Sequence, residues 1–267
     1  MIITGSSSNH FLPNMNLLYS IIKQRLDVPL VFIDFGLTEA QQKILFSFFH
    51  FLHQIRLYQH VLLPSYYRKI AYSQLTEWLS APRREVIMAL KAIIQVDIWE
   101  ECQGKGFWLD ASDEVNDRFF EIVEYLNAYG FVSPMSYGRI KQYTHQGMID
   151  WFGFEHTEFI FQRTPCSSGI TGINYKNRTV WEKVALRWRE CSYDQACHTP
   201  KGSSFSNHRQ DQASLTWLVH YYNITNACGR YPLFPYWINV HIDDNPKIWT
   251  REILYLYQEE ILRKYLK

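Results

Sequence analysis

Acid and hydroxyl side chains crowd the stretch Asp110-Ala111-Ser112-Asp113-Glu114, directly after the apolar run Phe107-Trp108-Leu109. The apolar run has the composition of a buried strand, and Asp110 stands where that strand should end. In open α/β sheets, ligands bind outside the carboxyl ends of the strands. Carboxylates gathered there suit a hard divalent cation shared with substrate phosphates. The same residues also fit a plainer role, as acids that favour the dipole of a following helix. Three other places carry groups of the right type. Asp211 and Gln212 stand near the head of a helix, where an acid is also an ordinary cap. Lys91 lies on an apolar helix, where the plain reading is a solvated lysine. His241 closes a late apolar run and is followed by Lys247. The loop Gly5-Ser6-Ser7-Ser8-Asn9-His10 is small and polar, so a ligand could approach its backbone closely. It equally fits a common βα turn, and it contains no Walker or dinucleotide fingerprint.

The elements that must position these groups alternate. Ile2-Ile3-Thr4 reads as a strand and 11–26 as a helix, followed by a strand over 29–35. Thr38 with Gln41 forms a capping box for a helix over about 39–53, and 54–58 fits a third strand. Strand-helix-strand alternation predicts a parallel α/β sheet. Farther on, helical spacing covers 85–99 and 117–129, with Gly130 as a stop. Phe131-Val132-Ser133 resembles a strand, another helix opens near Thr144, and Phe159-Ile160-Phe161 fits a strand. Residues 163–179 are rich in Ser, Gly, Thr and Asn and read as a long loop. Helices follow over 179–191, 214–222 and 250–267, with a strand over 236–242. No repeat or linker interrupts the chain, so residues 1–267 read as a single domain, with a nucleotide-binding half over 1–115 and an acceptor-side half over 116–267.

Composition narrows the classes. The chain has 267 residues, a hydrophobic share of 47% and a formal net charge of +1. That is ample for a large core, and the near-neutral charge argues against a nucleic-acid partner, which needs a basic face. Aromatic residues reach 16%, and most are accounted for by the core. No apolar run approaches the roughly 20 residues of a membrane span. The first residues lack a signal-peptide pattern, so a cytoplasmic protein is expected. Five cysteines, an odd number in such a compartment, predict free thiols, with a Cys191–Cys197 bridge conceivable. No CxxC or His-pair spacing announces a zinc site.

Taken together, these pieces resemble one family. Trp108-Leu109-Asp110-Ala111-Ser112-Asp113 resembles the Leu-Asp-Ala-Asp segment of GT-A fold nucleotide-sugar glycosyltransferases of the glycogenin and galactosyltransferase type. His208-Arg209-Gln210-Asp211-Gln212-Ala213 resembles that family's downstream Asp-Gln motif. His241, Lys247 and Trp249 resemble its C-terminal His…Lys-Pro-Trp signature, and Thr4 to His10 resemble a glycosyltransferase-like branch of the fold. The order matches, and the set frames nearly the whole chain. The resemblance implies an α/β fold of GT-A, Rossmann-like type, with a central, mostly parallel sheet flanked by helices. It implies a manganese or magnesium ion held by Asp110, Ser112 or Asp113, and His241. Donor contacts fall on Thr4, Gly5, Ser6, His10, Lys91, Asp110, Ser112 and Lys247, and the transferring sugar lies beside Asp211 and Gln212. Two departures stand out. Ser112 replaces an expected aspartate, which puts metal dependence in question, and Ile248 stands where proline is usual.

Sugar transfer breaks the bond between an anomeric carbon and a diphosphate, and negative charge gathers on the leaving group. Positive groups placed there supply the largest stabilisation. The partners implied are a nucleotide-sugar donor, in the first place a UDP-sugar, and a glycan or other hydroxyl acceptor reaching the site from loops 133–150 and 163–208. If the reaction inverts, Asp211 takes the acceptor proton; if it retains configuration, Asp211 or Gln212 only stabilises the sugar cation. The alternative keeps the fold without catalysis, as a nucleotide-sugar or glycan-binding module. A nucleotidyltransferase ranks below both, because the first loop has one glycine and no Lys or Arg.

Overall fold

The computed structural model describes residues 1–24, 26, 28–54, 67–69, 83–155, 158–224, 228–229 and 238–239. In chain order the main elements are β1 (Ile2–Ser6), α1 (Phe11–Lys23), β2 (Leu30–Asp34), α2 (Glu39–Gln54), β3 (Tyr67–Lys69), α3 (Arg83–Cys102), β4 (Lys105–Leu109), β5 (Glu114–Val115), α4 (Phe119–Tyr129) and β6 (Phe131–Pro134). There follow α5 (Gln146–Phe152), α6 (Glu158–Phe161), β7 (Ile170–Asn174), α7 (Arg178–Val180), α8 (Leu186–Tyr193), α9 (Gln195–His198), α10 (Gln210–Tyr221), β8 (Cys228–Gly229) and β9 (Ile238–Asn239). A π-helical segment, Trp181–Ala185, joins α7 to α8. The fold is α/β, with mostly parallel strands flanked by helices. Among the described residues, no helix is long and apolar enough to cross a membrane.

The chain divides into two compact units. In the first, built from 1–70, 109–119 and 235–267, β1 pairs with β2 and β2 with β3, both in parallel, with Ile2 opposite Leu30 and Ser6 opposite Asp34. Every residue of β1 and β2 is buried, as expected of parallel strands covered on both faces. Gly5 is required by packing: a Cβ there would lie 2.6 Å from the Phe35 ring and 2.8 Å from the Ile33 carbonyl. The predicted capping box is present. Gln41 N–H donates to Thr38 Oγ1 (3.3 Å), and Thr38 N–H donates to Gln41 Oε1 (3.0 Å).

In the second unit, built from 71–108 and 120–234, the strand order is β4-β7-β6-β8, with β6–β7 antiparallel and β6–β8 parallel. Its core holds the large indoles Trp99, Trp108, Trp181, Trp188 and Trp217. The high tryptophan content is thus largely a packing feature.

Three sequence expectations need correction. Residues 163–179 are not one loop, because they contain β7. The glycine that suggested a loop is there for strand contact: a Cβ on Gly172 would meet Val132 Cγ1 at 2.6 Å and the Phe107 ring at 2.7 Å. Phe159-Ile160-Phe161 is helical rather than extended, a case where a short apolar run fits either period. The cysteines are not generally free thiols, because Cys166–Cys228 and Cys191–Cys197 are disulfide-bonded. Two boundaries also shift: helix α10 starts at Gln210 rather than 214, and Gln54, expected to open a strand, ends α2. Residues 55–58 lie outside the described residues, as does the predicted helix over 250–267.

Candidate active site

In the second unit the structure brings two predicted site residues together. Lys91 lies on α3 and Asp211 on the first turn of α10. Lys91 Nζ stands 3.6 Å from Asp211 Oδ2, and their side chains are only 5% and 4% exposed. Two buried charges persist only when each offsets the other's loss of water. Lys91 Nζ also lies 5.5 Å from the centre of the buried Trp108 ring, a favourable cation–π position. The backbone of Asp211 is fixed from outside the helix, since Trp188 Nε1 donates to the Asp211 carbonyl at 2.9 Å. Immediately before it, Gln210 holds a φ of +44°, a left-handed conformation that costs free energy for a residue with a side chain. Strain next to a buried ion pair is a combination that clusters at functional sites.

Gln212 is oriented as well. Its Nε2 donates to the Cys166 carbonyl at 2.8 Å, which fixes the plane of the amide. The side of α10 that begins with Gln212 continues through Thr216 and His220 at helical spacing.

Around the head of α10 the structure adds a cluster that the sequence did not single out. Arg209 Nη2 donates to the Tyr137 hydroxyl at 3.0 Å, and its guanidinium lies 4.1 Å from the Tyr143 ring centre and 5.1 Å from that of Phe205. The Arg84 guanidinium covers Phe205 at 4.0 Å. Tyr137 is 69% exposed and Phe205 47%, so the cluster lies at the surface. Exposed aromatics in the polar loops were the available signal.

His145 and His208 serve the backbone. The His145 N–H donates to His208 Nδ1 (3.2 Å), which places the His208 proton on Nε2, facing the His198 carbonyl at 3.0 Å. Burial lowers the His208 pKa to about 4, opposed by that carbonyl bond and reinforced by His145. Burial also lowers His198 to about 3, with His208 adding to the effect. His145 Nδ1 accepts from Gly147 N–H (3.1 Å) and caps α5.

The acidic turn lies in the first unit, immediately after β4. It closes on itself: Asp113 N–H donates to the Asp110 carbonyl at 3.0 Å, and Asp110 N–H donates to Asp113 Oδ2 at 2.9 Å. Asp113 is 2% exposed and Ser112 9%, while Asp110 is half-buried. Asp113 therefore shapes the turn. Asp110 and Ser112 offer a carboxylate and a hydroxyl, a hard-oxygen set that fits manganese or magnesium. The following β5 pairs antiparallel with β9, and Val115 N–H donates to Ser20 Oγ at 2.9 Å.

The first-strand residues divide sharply. Thr4 is buried, and its Oγ1 accepts from Asn14 Nδ2 at 2.9 Å; Gly5 is packed, and buried Ser6 donates to the Ser7 carbonyl. Only from Ser7 onward does the loop reach solvent, where His10 Nδ1 lies 3.3 Å from Ser7 Oγ. His241 and Lys247 lie outside the described residues.

No protein-family model and no curated protein sequence matches the chain. Solved structures do. The galactosyltransferase LgtC, in complex with donor and acceptor sugar analogues, matches with a TM-score of 0.51 at 14% identity, covering 81% of this chain and 69% of the other. An active-site glutamine-to-glutamate mutant of LgtC matches with a TM-score of 0.56 at 13% identity, covering 97% and 95%. Mouse xyloside xylosyltransferase 1, in its apo form, matches with a TM-score of 0.51 at 13% identity, covering 82% and 81%. At these identities the likeness is one of fold: the chain has the GT-A fold, and these structural neighbours are glycosyltransferases.

Proposed function

We propose that the protein is a glycosyltransferase that moves a sugar from a nucleotide-sugar donor, in the first place a UDP-sugar, to a hydroxyl acceptor such as a glycan. The observation that carries this reading is the buried Lys91–Asp211 pair at the strained head of α10, in a chain with the GT-A fold. A charge pair held out of water by surrounding indoles is prepared to meet charge that develops during a reaction. In an inverting reaction Asp211 would take the acceptor proton, oriented by Lys91; in a retaining one Asp211 and Gln212 would stabilise the sugar cation. Gln212, its amide fixed by the Cys166 carbonyl, presents its oxygen beside the transferring sugar. The exposed Tyr137 and Phe205 side chains suit contact with a sugar ring in the acceptor.

On the donor side, Asp110 and Ser112 would hold a manganese or magnesium ion, completed by His241 and assisted by Lys247. When bound, such an ion supplies neutralisation of the leaving diphosphate. The exposed Ser7–His10 segment would meet the nucleoside. Ser112 in place of an aspartate favours looser metal binding than a double-acid motif would give.

A donor-hydrolysis screen of UDP- and GDP-sugars, with and without manganese, tests the reading. One donor should be turned over, and UDP with manganese should raise the melting temperature. Asp110→Ala should remove both responses, while Asp211→Asn should remove turnover and spare the thermal shift. Tight nucleotide binding with no turnover across the panel would favour a non-catalytic binding module instead. No binding of any nucleotide would overturn both.

A further inference from the structure

Farther along α10, a second group of chemically capable side chains converges. Cys166, His220 and Cys228 place two sulfurs and an imidazole nitrogen within 4.8 Å of one another. Among the described residues no other group of three His, Cys, Asp or Glu side chains converges in this way. The arrangement is built rather than incidental. Cys166 N–H donates to Thr216 Oγ1 at 3.1 Å, and Gln212 Nε2 donates to the Cys166 carbonyl. His220 Nε2 lies 3.1 Å from the Thr164 carbonyl. A carbonyl only accepts, so Nε2 carries the proton and the lone pair is left on Nδ1. A ring nitrogen donating to a backbone carbonyl is the arrangement that orients a metal-ligating histidine. Gln212, Thr216 and His220 recur every fourth residue, so one side of the helix holds the 164–166 segment at three points. Cys228 is brought in from β8, which pairs with β6 at Ser133, while Cys166 bridges Met135 of the same chain segment.

We propose that Cys166, Cys228 and His220 form a zinc site of the reduced protein, and that the Cys166–Cys228 disulfide is its oxidised, metal-free state. The Cα–Cα distance of 5.2 Å is within the usual disulfide range and also lets two thiolates share one ion. Two thiolates and an imidazole are a soft-to-borderline set that selects zinc over the hard ions suited to Asp110 and Ser112. The chemistry balances. A dithiol reductant delivers two electrons, closing to its own disulfide as the Cys166–Cys228 bond opens to two thiols. Zinc then takes both sulfurs as thiolates, with release of two protons. Cys166 is fully buried whereas His220 and Cys228 are half-buried, and water would supply a fourth ligand. The site does not depend on the glycosyltransferase reading, although the Cys166 carbonyl beside it also orients Gln212.

The test uses the full chain, reduced with a dithiol, freed of reductant without air and titrated with cobalt(II). One equivalent should develop thiolate-to-cobalt charge-transfer absorption, and zinc should displace it. Cys228→Ser should abolish the band, His220→Ala should weaken binding by about 100-fold or more, and Thr216→Ala by about 10-fold. Cys191→Ser should leave the band in place. In the wild type, zinc should protect Cys166 and Cys228 from alkylation, a readout that needs no variant to fold. Absence of the band in the reduced protein, its survival unchanged in Cys228→Ser and His220→Ala, its loss in Cys191→Ser, or equal alkylation with and without zinc would each overturn the proposal.

Discussion

The turn after β4 and the head of α10 both present an aspartate, but the two regions hold it by opposite means. At the turn, the restraint is local: Asp113 folds back onto the amide of Asp110, three residues away. At α10 the restraint comes from afar: Asp211 faces Lys91 on α3, and its carbonyl is held by Trp188 on α8. A local turn can form wherever those residues occur. A buried ion pair requires the surrounding unit to fold first, because only a packed interior brings the two charges together out of water. The second arrangement is the more demanding one, and it is where the proposed chemistry sits.

The largest expected effects follow from breaking the distant restraint. Lys91→Met leaves the Asp211 carboxylate buried opposite an apolar chain, which should destabilise the protein by about 3–5 kcal/mol. Adding Asp211→Asn to that variant should recover most of the loss, because the buried charge that has lost its Lys91 partner is removed. Both proteins should lose sugar transfer, by about 10²–10⁴-fold if Asp211 moves the proton. Urea unfolding of the wild type, the two singles and the double mutant gives the coupling directly. A Lys91→Met protein as stable as wild type would show that the pair is not held as the structure has it.

A second effect separates the two regions by pH. His208 anchors the α10 end of its unit to the His145 and His198 backbones, and burial sets its folded pKa at about 4 against an ordinary 6.5. Between those values the unfolded chain takes up a proton that the folded chain refuses. Stability is therefore fully present above pH 6.5 and drains away as the pH falls toward 4, by ~3 kcal/mol for this residue. His198 and His220 add to the same trend, since burial lowers both. His208→Gln should flatten the slope of unfolding free energy against pH in this window, even though the variant is less stable at pH 7. An unchanged slope would mean that His208 is already charged in the folded protein.

How much of this was legible in the sequence depended on the range of the contacts. Alternation of β1, α1, β2 and α2 was readable because each element declares itself through its own period, and Thr38 with Gln41 marked the start of α2 to the residue. Asp110, Asp211 and Lys91 were picked out by type and by resemblance, but their pairing was not. Nothing within several residues of Lys91 says that it will be buried against a carboxylate far along the chain. The same limit hid β7, whose Gly172 answers to Val132 and Phe107 rather than to its neighbours. It also hid the convergence of Cys166, His220 and Cys228, because their spacing matches no local zinc motif. Thr4 and Gly5 were visible as a small polar stretch, but the sequence did not show that one is tied to Asn14 and the other pressed on Phe35.

The smallest effect tests the local restraint itself. Asp113→Ala removes the acceptor of the Asp110 N–H in a turn where Asp113 is 2% exposed. Losing one charge-assisted bond at this half-buried amide should destabilise by about 1–3 kcal/mol. Asp113→Asn keeps an oxygen in place and should lie nearer the low end. The informative quantity is what happens to manganese-dependent UDP binding in the two variants. If Asp113 only shapes the turn, the asparagine variant keeps that binding within a few-fold, because Asp110 is still presented by a closed turn, while the alanine variant weakens it in step with stability. If Asp113 itself supplied the charge that holds the ion in place of the missing second acid at Ser112, both variants would lose binding alike, and the asparagine would rescue nothing. A calorimetric titration of the two proteins at one metal concentration decides between a turn that is shaped by its acid and one that lends it to the ion.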